Sequence, residues 1–135
     1  MSNRDISAPA PEVQHLPTLF RRIESGDLRI PAFQRRFVWT EAQVLKLLES
    51  VYKGYPIGSI LLWRVESKLL QVSRDPKVPF PNVEERYPLS FILDGMQRLS
   101  TLYGVVYWDR PEEENVFNVV FDLHEQVFRH FSNQA

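Results

Sequence analysis

The stretch "FILDGMQRLSTLYGVVYWD", residues 91–109, changes from a strand-like to a helix-like pattern within a few residues. An apolar run ends at Asp94, Gly95 follows, and leucines then recur at helical spacing. The pattern predicts a strand, a turn and a helix in direct succession. The connection between them also carries Gln97 and Arg98, which is more polar chemistry than a turn requires.

The residues from Asp94 to Arg98, here called the junction, have two interpretations. A helix N-terminus offers unpaired backbone N–H groups, Gly95 lets a phosphate approach the backbone, and Arg98 can fork onto phosphate oxygens. Asp94 would then cap the helix, hold a magnesium ion that bridges to the phosphate, or orient a water. In the structural interpretation Asp94 is the N-cap, Gly95 the turn residue and Arg98 a solvated charge. The local sequence leaves both open.

A second polar cluster lies in "PAFQRRFVW", residues 31–39. Two arginines and a glutamine stand among aromatic residues: Phe33, Gln34, Arg35, Arg36, Phe37 and Trp39. Arginines interleaved with aromatic rings suit a polyanion that carries stackable bases. The alternative is that the aromatic residues anchor this segment in the core while the arginines face solvent.

Two helices are predicted before the junction. The first follows Pro17, with Thr18 as its cap. The second starts at Thr40, where Gln43 completes a capping box, and it should end near residues 53–54. Its apolar stripe consists of Val44, Leu47, Leu48 and Val51.

Strands are predicted just before Pro31 and at residues 57–65, 89–93, 115–123 and 126–131, the last two joined by a tight turn at residues 124–125. The apolar run at 57–65 predicts a buried strand, whereas residues 66–88 are rich in proline and predict an irregular excursion with one short strand near 69–72. The order of helices and strands predicts a mixed α+β (α/β) domain with helices packed on a single sheet. Residues 1–14 are expected to form a flexible arm and residues 15–135 the domain, which we take to be a fragment of a longer protein or a small standalone version of a larger domain.

Composition limits the classes of function. Lys and Arg total 16 against 17 for Asp and Glu, so a polyanion would have to bind through a local cluster and not the whole surface. The absence of cysteine excludes disulfides, thiolate zinc sites and cysteine nucleophiles. No signal peptide or membrane-spanning run is visible, which leads us to expect a cytoplasmic protein without a membrane partner.

Three segments, taken in order, carry a family resemblance: "IPAFQRRFVW" (first segment, residues 30–39), "YKGYPIGSILLW" (second segment, 52–63) and "ILDGMQRLSTL" (third segment, 92–102). Together they resemble the N-terminal domain of GmrSD-type (type IV) restriction endonucleases, in the ParB/sulfiredoxin-like superfamily. The family's marks are I-P-x-Y/F-Q-R, Y-P-I-G and D-G-Q-Q-R. The resemblance covers about residues 15–123.

The resemblance implies a ParB/sulfiredoxin-like fold and a role in phage defence, in which such proteins recognise modified DNA. It implies that this domain binds and hydrolyses a nucleoside triphosphate, with Mg²⁺, while a separate C-terminal HNH-type nuclease domain or subunit cuts the DNA. No HNH site is visible in this chain. The alternative is a non-hydrolysing DNA- or nucleotide-binding module of ParB type.

The site residues come from matching the motifs. Asp94, Gly95, Gln97 and Arg98 match D-G-x-Q-R, and Gln34 and Arg35 match the Q-R of the first segment. The resemblance implies catalytic roles for Asp94, Gln97 and Arg98, with Asp94 also at the metal. It implies phosphate binding by Gln34, Arg35, Gly95 and Arg98. Met96 departs from the family, which usually has Gln there, and a thioether cannot replace an amide's donors and acceptor.

Overall fold

The computed structural model describes residues 11–109 and 113–131. Its elements are α1 (Leu16–Ser25), β1 (Leu28–Arg29), α2 (Glu41–Tyr52), β2 (Leu61–Val65), β3 (Leu89–Asp94), α3 (Met96–Tyr107), β4 (Val119–Asp122) and β5 (Val127–His130). The order of elements and the mixed α+β class predicted from the sequence are confirmed. Most of the predicted N-terminal arm, residues 1–10, lies outside the described residues. No helix in the described part of the chain is long and apolar enough to cross a membrane.

The strands form two small sheets, so the prediction of a single sheet is wrong. β3 is the centre of a three-stranded sheet, parallel to β1 and antiparallel to β2, while β4 and β5 form a separate antiparallel hairpin. The hairpin packs on α2, where the ring of Tyr52 lies 5.1 Å from that of Phe121 and 6.1 Å from that of Phe128. Burial against a helix gives the hairpin a core without any need to join the edge of the first sheet.

β3 is buried on both of its faces. Ile92 packs with the three helices in the main core, whereas Leu89 and Phe91 form a second cluster on the opposite face with Val65 of β2. The excursion between β2 and β3 covers that second face, with Leu70, Val72 and Tyr87. A strand covered on both faces has a continuous apolar run, which accounts for the sequence that leads into the junction.

β2 differs from its prediction. It begins at Leu61 and not at residue 57, and it is an edge strand, with Leu61 and Trp63 exposed by 45% and 40%. In the excursion, the predicted strand near 69–72 is reduced to an isolated bridge between Pro31 and Val72. The edge position of β2 and the loss of the strand near 69–72 could not be predicted from hydrophobicity alone, because an apolar run does not show whether a neighbouring strand covers it.

The excursion is also held by a buried arginine. The guanidinium of Arg29, 7% exposed, donates to the carbonyl oxygens of Gly26, Val83 and Glu84 at 2.8 Å each. A buried cation is tolerated when its donors find acceptors in this way. Arg29 therefore fixes the far end of the excursion beside β1.

The N-cap residue predicted from the sequence is confirmed for α2 but not for α1. Thr40 and Gln43 form the capping box predicted for α2. In α1 the N-cap is His15, whose side chain makes no capping bond, so the prediction of Thr18 as the cap is wrong. Pro17 lies inside the first turn, where its missing N–H costs nothing, and the helix therefore begins one residue before it.

Candidate functional site

The first and third segments meet at one open cavity of about 260 Å³. Residues 93–98 form one side of it, and Gln34, Arg35 and Trp39 form the other. We call it the junction cavity. It brings together all six residues that the sequence nominated for the site: Gln34, Arg35, Asp94, Gly95, Gln97 and Arg98.

Gly95 makes the turn that starts α3. It is the N-cap of the helix with φ of +96°, in the left-handed region that favours glycine, and the N–H of Leu99 donates to its carbonyl oxygen at 3.0 Å. A Cβ at this position would clash with Ile60 of the second segment. Both the backbone conformation and the close approach of the second segment therefore require glycine.

Asp94 does not cap the helix, because Gly95 occupies that position and no side chain makes a capping bond. The Asp94 carboxylate is 72% exposed, and its Oδ2 lies 3.9 Å from Nη2 of Arg98. An exposed pair at this distance contributes little to stability. The structure thus leaves the carboxylate accessible at the edge of the cavity.

Arg98 is not a solvated surface charge. Its side chain is 22% exposed, and its Nη1 donates to the carbonyl oxygen of Ile57 at 2.7 Å. Gly58 makes room for this contact, since a Cβ there would lie 2.5 Å from Nη1. Arg98 therefore ties the second segment to the third, and it also lines the junction cavity.

Gln97 ties the first segment to the third. Its Oε1 accepts from the backbone N–H of Val38 at 3.1 Å, and its Nε2 donates to the carbonyl oxygen of Arg36 at 3.0 Å. Both ends of the amide are thus engaged with the backbone of the first segment. This contact between residues about sixty positions apart could not be read from the sequence.

Gln34 makes the matching contact from the first segment. Its Nε2 donates to the carbonyl oxygens of Ile92 and Leu93, at 3.1 and 2.8 Å. β3 has a bulge at this point, where the register with β2 shifts, so its carbonyl groups are available to a side chain. Gln34 therefore orients the loop that carries Arg35.

Arg35 is the cation that remains free at the cavity. It is exposed and lines the cavity, and its guanidinium has no hydrogen bond or ion pair with the residues that the structure describes. Arg36 is likewise exposed and without a side-chain partner in the described ranges, but it does not line the cavity. Arg35 and Arg36 therefore differ mainly in that only Arg35 lines the junction cavity.

The aromatic residues of the first segment were predicted either to face a ligand or to anchor the segment in the core, and the structure does not treat them alike. Phe37 is 3% exposed and belongs to the main core, and Trp39 is partly buried and packs against the same core. Phe33 is 63% exposed and anchors nothing. Trp39 also lines the junction cavity, although it is not among the six nominated residues.

Met96 belongs to the core. It is 5% exposed and packs in the main cluster, although it forms part of the cavity wall. The departure from the family motif at this position therefore falls on a packing residue. An amide in the same orientation would face apolar neighbours.

A metal site made by the protein alone is not evident. Residues 11–109 and 113–131 contain no group of three or more His, Asp and Glu side chains able to hold an ion. Asp94 is the carboxylate that lines the cavity among the described residues. Mg²⁺ is commonly held by one or two carboxylates together with substrate phosphates and waters, so Asp94 fits a cation that arrives with a phosphate.

A larger cavity, of about 960 Å³, lies elsewhere, between the excursion and the end of α3. None of the six nominated residues lines it. Its wall carries five carboxylates, of Asp75, Glu84, Glu85, Asp109 and Glu113, against three cations, of Arg29, Arg74 and Lys77. Arg29 already donates to three carbonyl oxygens, so the acidic balance disfavours a phosphate. The junction cavity is therefore the candidate site despite its smaller volume.

Comparison with known proteins gives one family. The model of the family described as "GmrSD restriction endonuclease, N-terminal domain" matches residues 16–134. The uncharacterized protein MJ0686 of Methanocaldococcus jannaschii is 29% identical over 100 residues, which cover 71% of this chain and 17% of that protein. The chain thus spans less than a fifth of the length of this curated relative. No solved structure matches the chain.

Proposed function

This chain belongs to the family of GmrSD restriction endonuclease N-terminal domains, and on that premise we propose that it binds a nucleoside triphosphate in the junction cavity and hydrolyses it. Family membership places the chain among the domains of restriction systems. The observation that carries the proposal is the convergence of the first and third segments on one cavity, with Arg35 left free beside it.

The phosphates would lie between Arg35 and the start of α3. Arg35 can form charge-assisted hydrogen bonds to phosphate oxygens from one side of the cavity. Gly95 brings the backbone close on the other side, at the positive end of the helix dipole. Arg98 adds positive charge from a fixed position, since Ile57 already holds its Nη1. Gln34 and Gln97 position these groups through their bonds to the backbone.

Hydrolysis would depend on Asp94. Its carboxylate is exposed at the cavity edge, where it can meet a magnesium ion carried by the phosphates or orient an attacking water. Bound Mg²⁺ would supply neutralisation of the phosphate charge. The resemblance implies a catalytic role for Gln97. We propose a positioning role for Gln97, because both ends of its amide are engaged with the first segment.

The second candidate function is a binding module of ParB type that holds a nucleotide or DNA without turnover. It is favoured by the engaged amide of Gln97 and by the loose placement of Asp94, whose nearest charged partner is 3.9 Å away. Met96 does not bear on this choice, since its side chain packs in the core.

Phosphate release in the presence of Mg²⁺ separates the two candidates. We expect the wild-type protein to release phosphate from a nucleoside triphosphate, and Asp94→Asn to lose at least about 10²-fold of that rate, the range typical of a general acid–base group. Glu66→Gln is the matched control, because Glu66 is also exposed, at 75%, but does not line the cavity. Binding without release in the wild type would establish the second candidate instead.

We further propose that this activity regulates DNA restriction in phage defence. The partners would be modified DNA and an HNH-type nuclease domain or subunit that makes the cut. The test is cleavage of modified DNA by the protein together with that nuclease. The proposal requires that cleavage need a nucleoside triphosphate and fail with Arg35→Ala. Equal cleavage with and without nucleotide would contradict it.

A further inference from the structure

We infer that Trp39 is the surface on which the nucleobase of the bound nucleotide stacks, and this inference rests on the proposed function. Among the described residues, Trp39 is the aromatic side chain that lines the junction cavity. It lies four positions after Arg35, on the same side of the cavity. An anion-binding guanidinium beside an aromatic face is the combination that binds a phosphate and a base together.

Trp39 is held in place. It packs against the main core and also lines the cavity. The backbone is fixed on both sides, because Val38 donates to Gln97 at 3.1 Å and Thr40 caps α2. A rigid aromatic surface of this kind loses little conformational entropy when a ligand stacks on it.

The size of the cavity indicates how a nucleotide would fit. Its volume of about 260 Å³ is below the roughly 300–1,000 Å³ of most small-molecule sites. The cavity therefore accommodates part of a nucleotide, with the phosphates near Arg35 and the base lying against the open wall. The ring of Trp39 is part of that wall.

The polar groups near the ring predict how selective the site is. Gln97 uses its donor and its acceptor on the first segment, and the Nε2 of Gln34 is shared between two carbonyl oxygens. Backbone groups hold the two amides at these atoms, which leaves stacking as the main contact to the base, and stacking tolerates every base. The site should therefore require a base but accept all four nucleoside triphosphates within about tenfold in affinity.

The first experiment compares ligands with and without a base. Calorimetry with Mg²⁺ would measure the affinity of ATP, GTP, CTP, UTP and inorganic tripolyphosphate for the full chain and for Trp39→Leu. We expect Trp39→Leu to weaken the four nucleotides by at least about fivefold, the low end for loss of one base–aromatic stack, and to leave tripolyphosphate within about twofold. Equal loss for all five ligands, or none, would overturn the inference.

Phe33→Ala is the competing variant, because Phe33 is exposed close to Arg35 but does not line the cavity. Base-specific loss in Phe33→Ala, without loss in Trp39→Leu, would place the stacking elsewhere. Val106→Ala is the neutral control, since Val106 is 62% exposed, like Phe33 at 63%, and does not line the junction cavity.

Tryptophan fluorescence gives a second test that does not depend on the stability of Trp39→Leu. Nucleotide should quench the emission of the wild type and of Trp63→Phe, while tripolyphosphate should not. The quench should disappear in Trp39→Phe. Trp63 is a suitable control because it is 40% exposed on β2 and does not line the junction cavity. A quench that persists in Trp39→Phe would contradict the inference.

The inference and the proposed function fail in different ways. If the wild type binds nucleotide and Arg35→Ala loses that binding, the proposed site stands whatever Trp39 does. If Trp39→Leu then weakens the nucleotides and tripolyphosphate equally, only the stacking role of Trp39 is excluded. Absence of nucleotide binding by the wild type would overturn both.

Discussion

At the scale of single residues, the candidate site depends on side chains that bond to backbone groups of a distant segment. Gln34 is the clearest case, because one amide nitrogen serves two carbonyl oxygens at the end of β3. Such contacts decide where the neighbouring Arg35 lies, although Gln34 itself offers little to a ligand.

We expect Gln34→Glu to lower the free energy of unfolding by about 1–3 kcal/mol, because a carboxylate of the same size would face two carbonyl oxygens without a donor. Denaturant unfolding measures the change. Gln71→Glu is the control, since Gln71 is exposed and accepts from the N–H of Ala32 through its backbone carbonyl. Equal stability in Gln34→Glu and the wild type would show that the two bonds are not formed in solution.

Met96→Gln restores the residue that the family usually has. Because Met96 is 5% exposed among apolar neighbours, the added amide should lower the free energy of unfolding by about 1–3 kcal/mol, and nucleotide affinity should not change. Thermal unfolding and calorimetry together check this. A gain in affinity or in phosphate release would instead show that the side chain at position 96 reaches the ligand.

At the scale of elements, the second segment supports the site from outside the cavity lining, because Arg98 donates to the carbonyl oxygen of Ile57. Gly54 and Gly58 both have positive φ, of +76° and +93°, but only Gly58 lies against Arg98. We expect Gly58→Ala to weaken nucleotide binding as well as stability, because the new Cβ would displace the Arg98 guanidinium. Gly54→Ala, with open space around it, should show backbone strain alone, on the order of 1 kcal/mol, and bind normally. Identical behaviour of the two variants would contradict this role of Arg98.

The hairpin of β4 and β5 should contribute to the acid sensitivity of the fold. The backbone N–H of Glu125, and then the side chain of Arg129, hold the pKa of Asp122 below its ordinary value. A carboxyl whose pKa is lowered in the folded state stabilises the fold at pH values above its pKa in the unfolded state. This stabilisation is lost as the pH falls through the pKa of the folded state. The stability difference between wild type and Asp122→Asn should therefore be present at neutral pH and shrink as the pH falls below the ordinary pKa of an aspartate, about 3.9. Unfolding midpoints across that range test it, and a constant difference would rule it out.

Sequence patterns predicted the elements unevenly, for physical reasons. The capping box at Thr40 is a purely local signal, and the structure confirms it. Val51 belongs to the apolar stripe predicted for α2 but is 39% exposed, because it lies in the last turn of the helix, beyond the buried Val44, Leu47 and Leu48. The number of sheets could not be predicted, since it depends on whether the hairpin packs on a strand edge or on α2.

At the scale of the whole molecule, the sequence predicted which residues lie together at one cavity but not which of them are engaged by other segments. The motifs nominated six residues, and all six line one cavity. Their bonding partners lie about forty to sixty positions away, so the sequence could not show that Arg98, Gln97 and Gln34 are engaged with backbone while Arg35 is free. The aromatic pattern of the first segment allowed Trp39 either to stack a base or to pack in the core, and the sequence could not show that it packs against the core and lines the cavity at once.

The whole molecule is also nearly neutral, with 16 basic and 17 acidic residues, so affinity for an anion must come from the junction cavity. The two adjacent arginines of the first segment make this testable with neighbouring substitutions of identical chemistry. Both are exposed, and only Arg35 lines the cavity.

The most direct measurement is therefore a calorimetric titration of nucleoside triphosphate with Mg²⁺ into the wild type, Arg35→Ala and Arg36→Ala. We expect Arg35→Ala to bind at least about tenfold more weakly, as for loss of a hydrogen bond to a charged group, and Arg36→Ala to bind within about threefold of the wild type. Equal affinity in the wild type and Arg35→Ala, or the same loss in both variants, would contradict the assignment of the junction cavity as the nucleotide site.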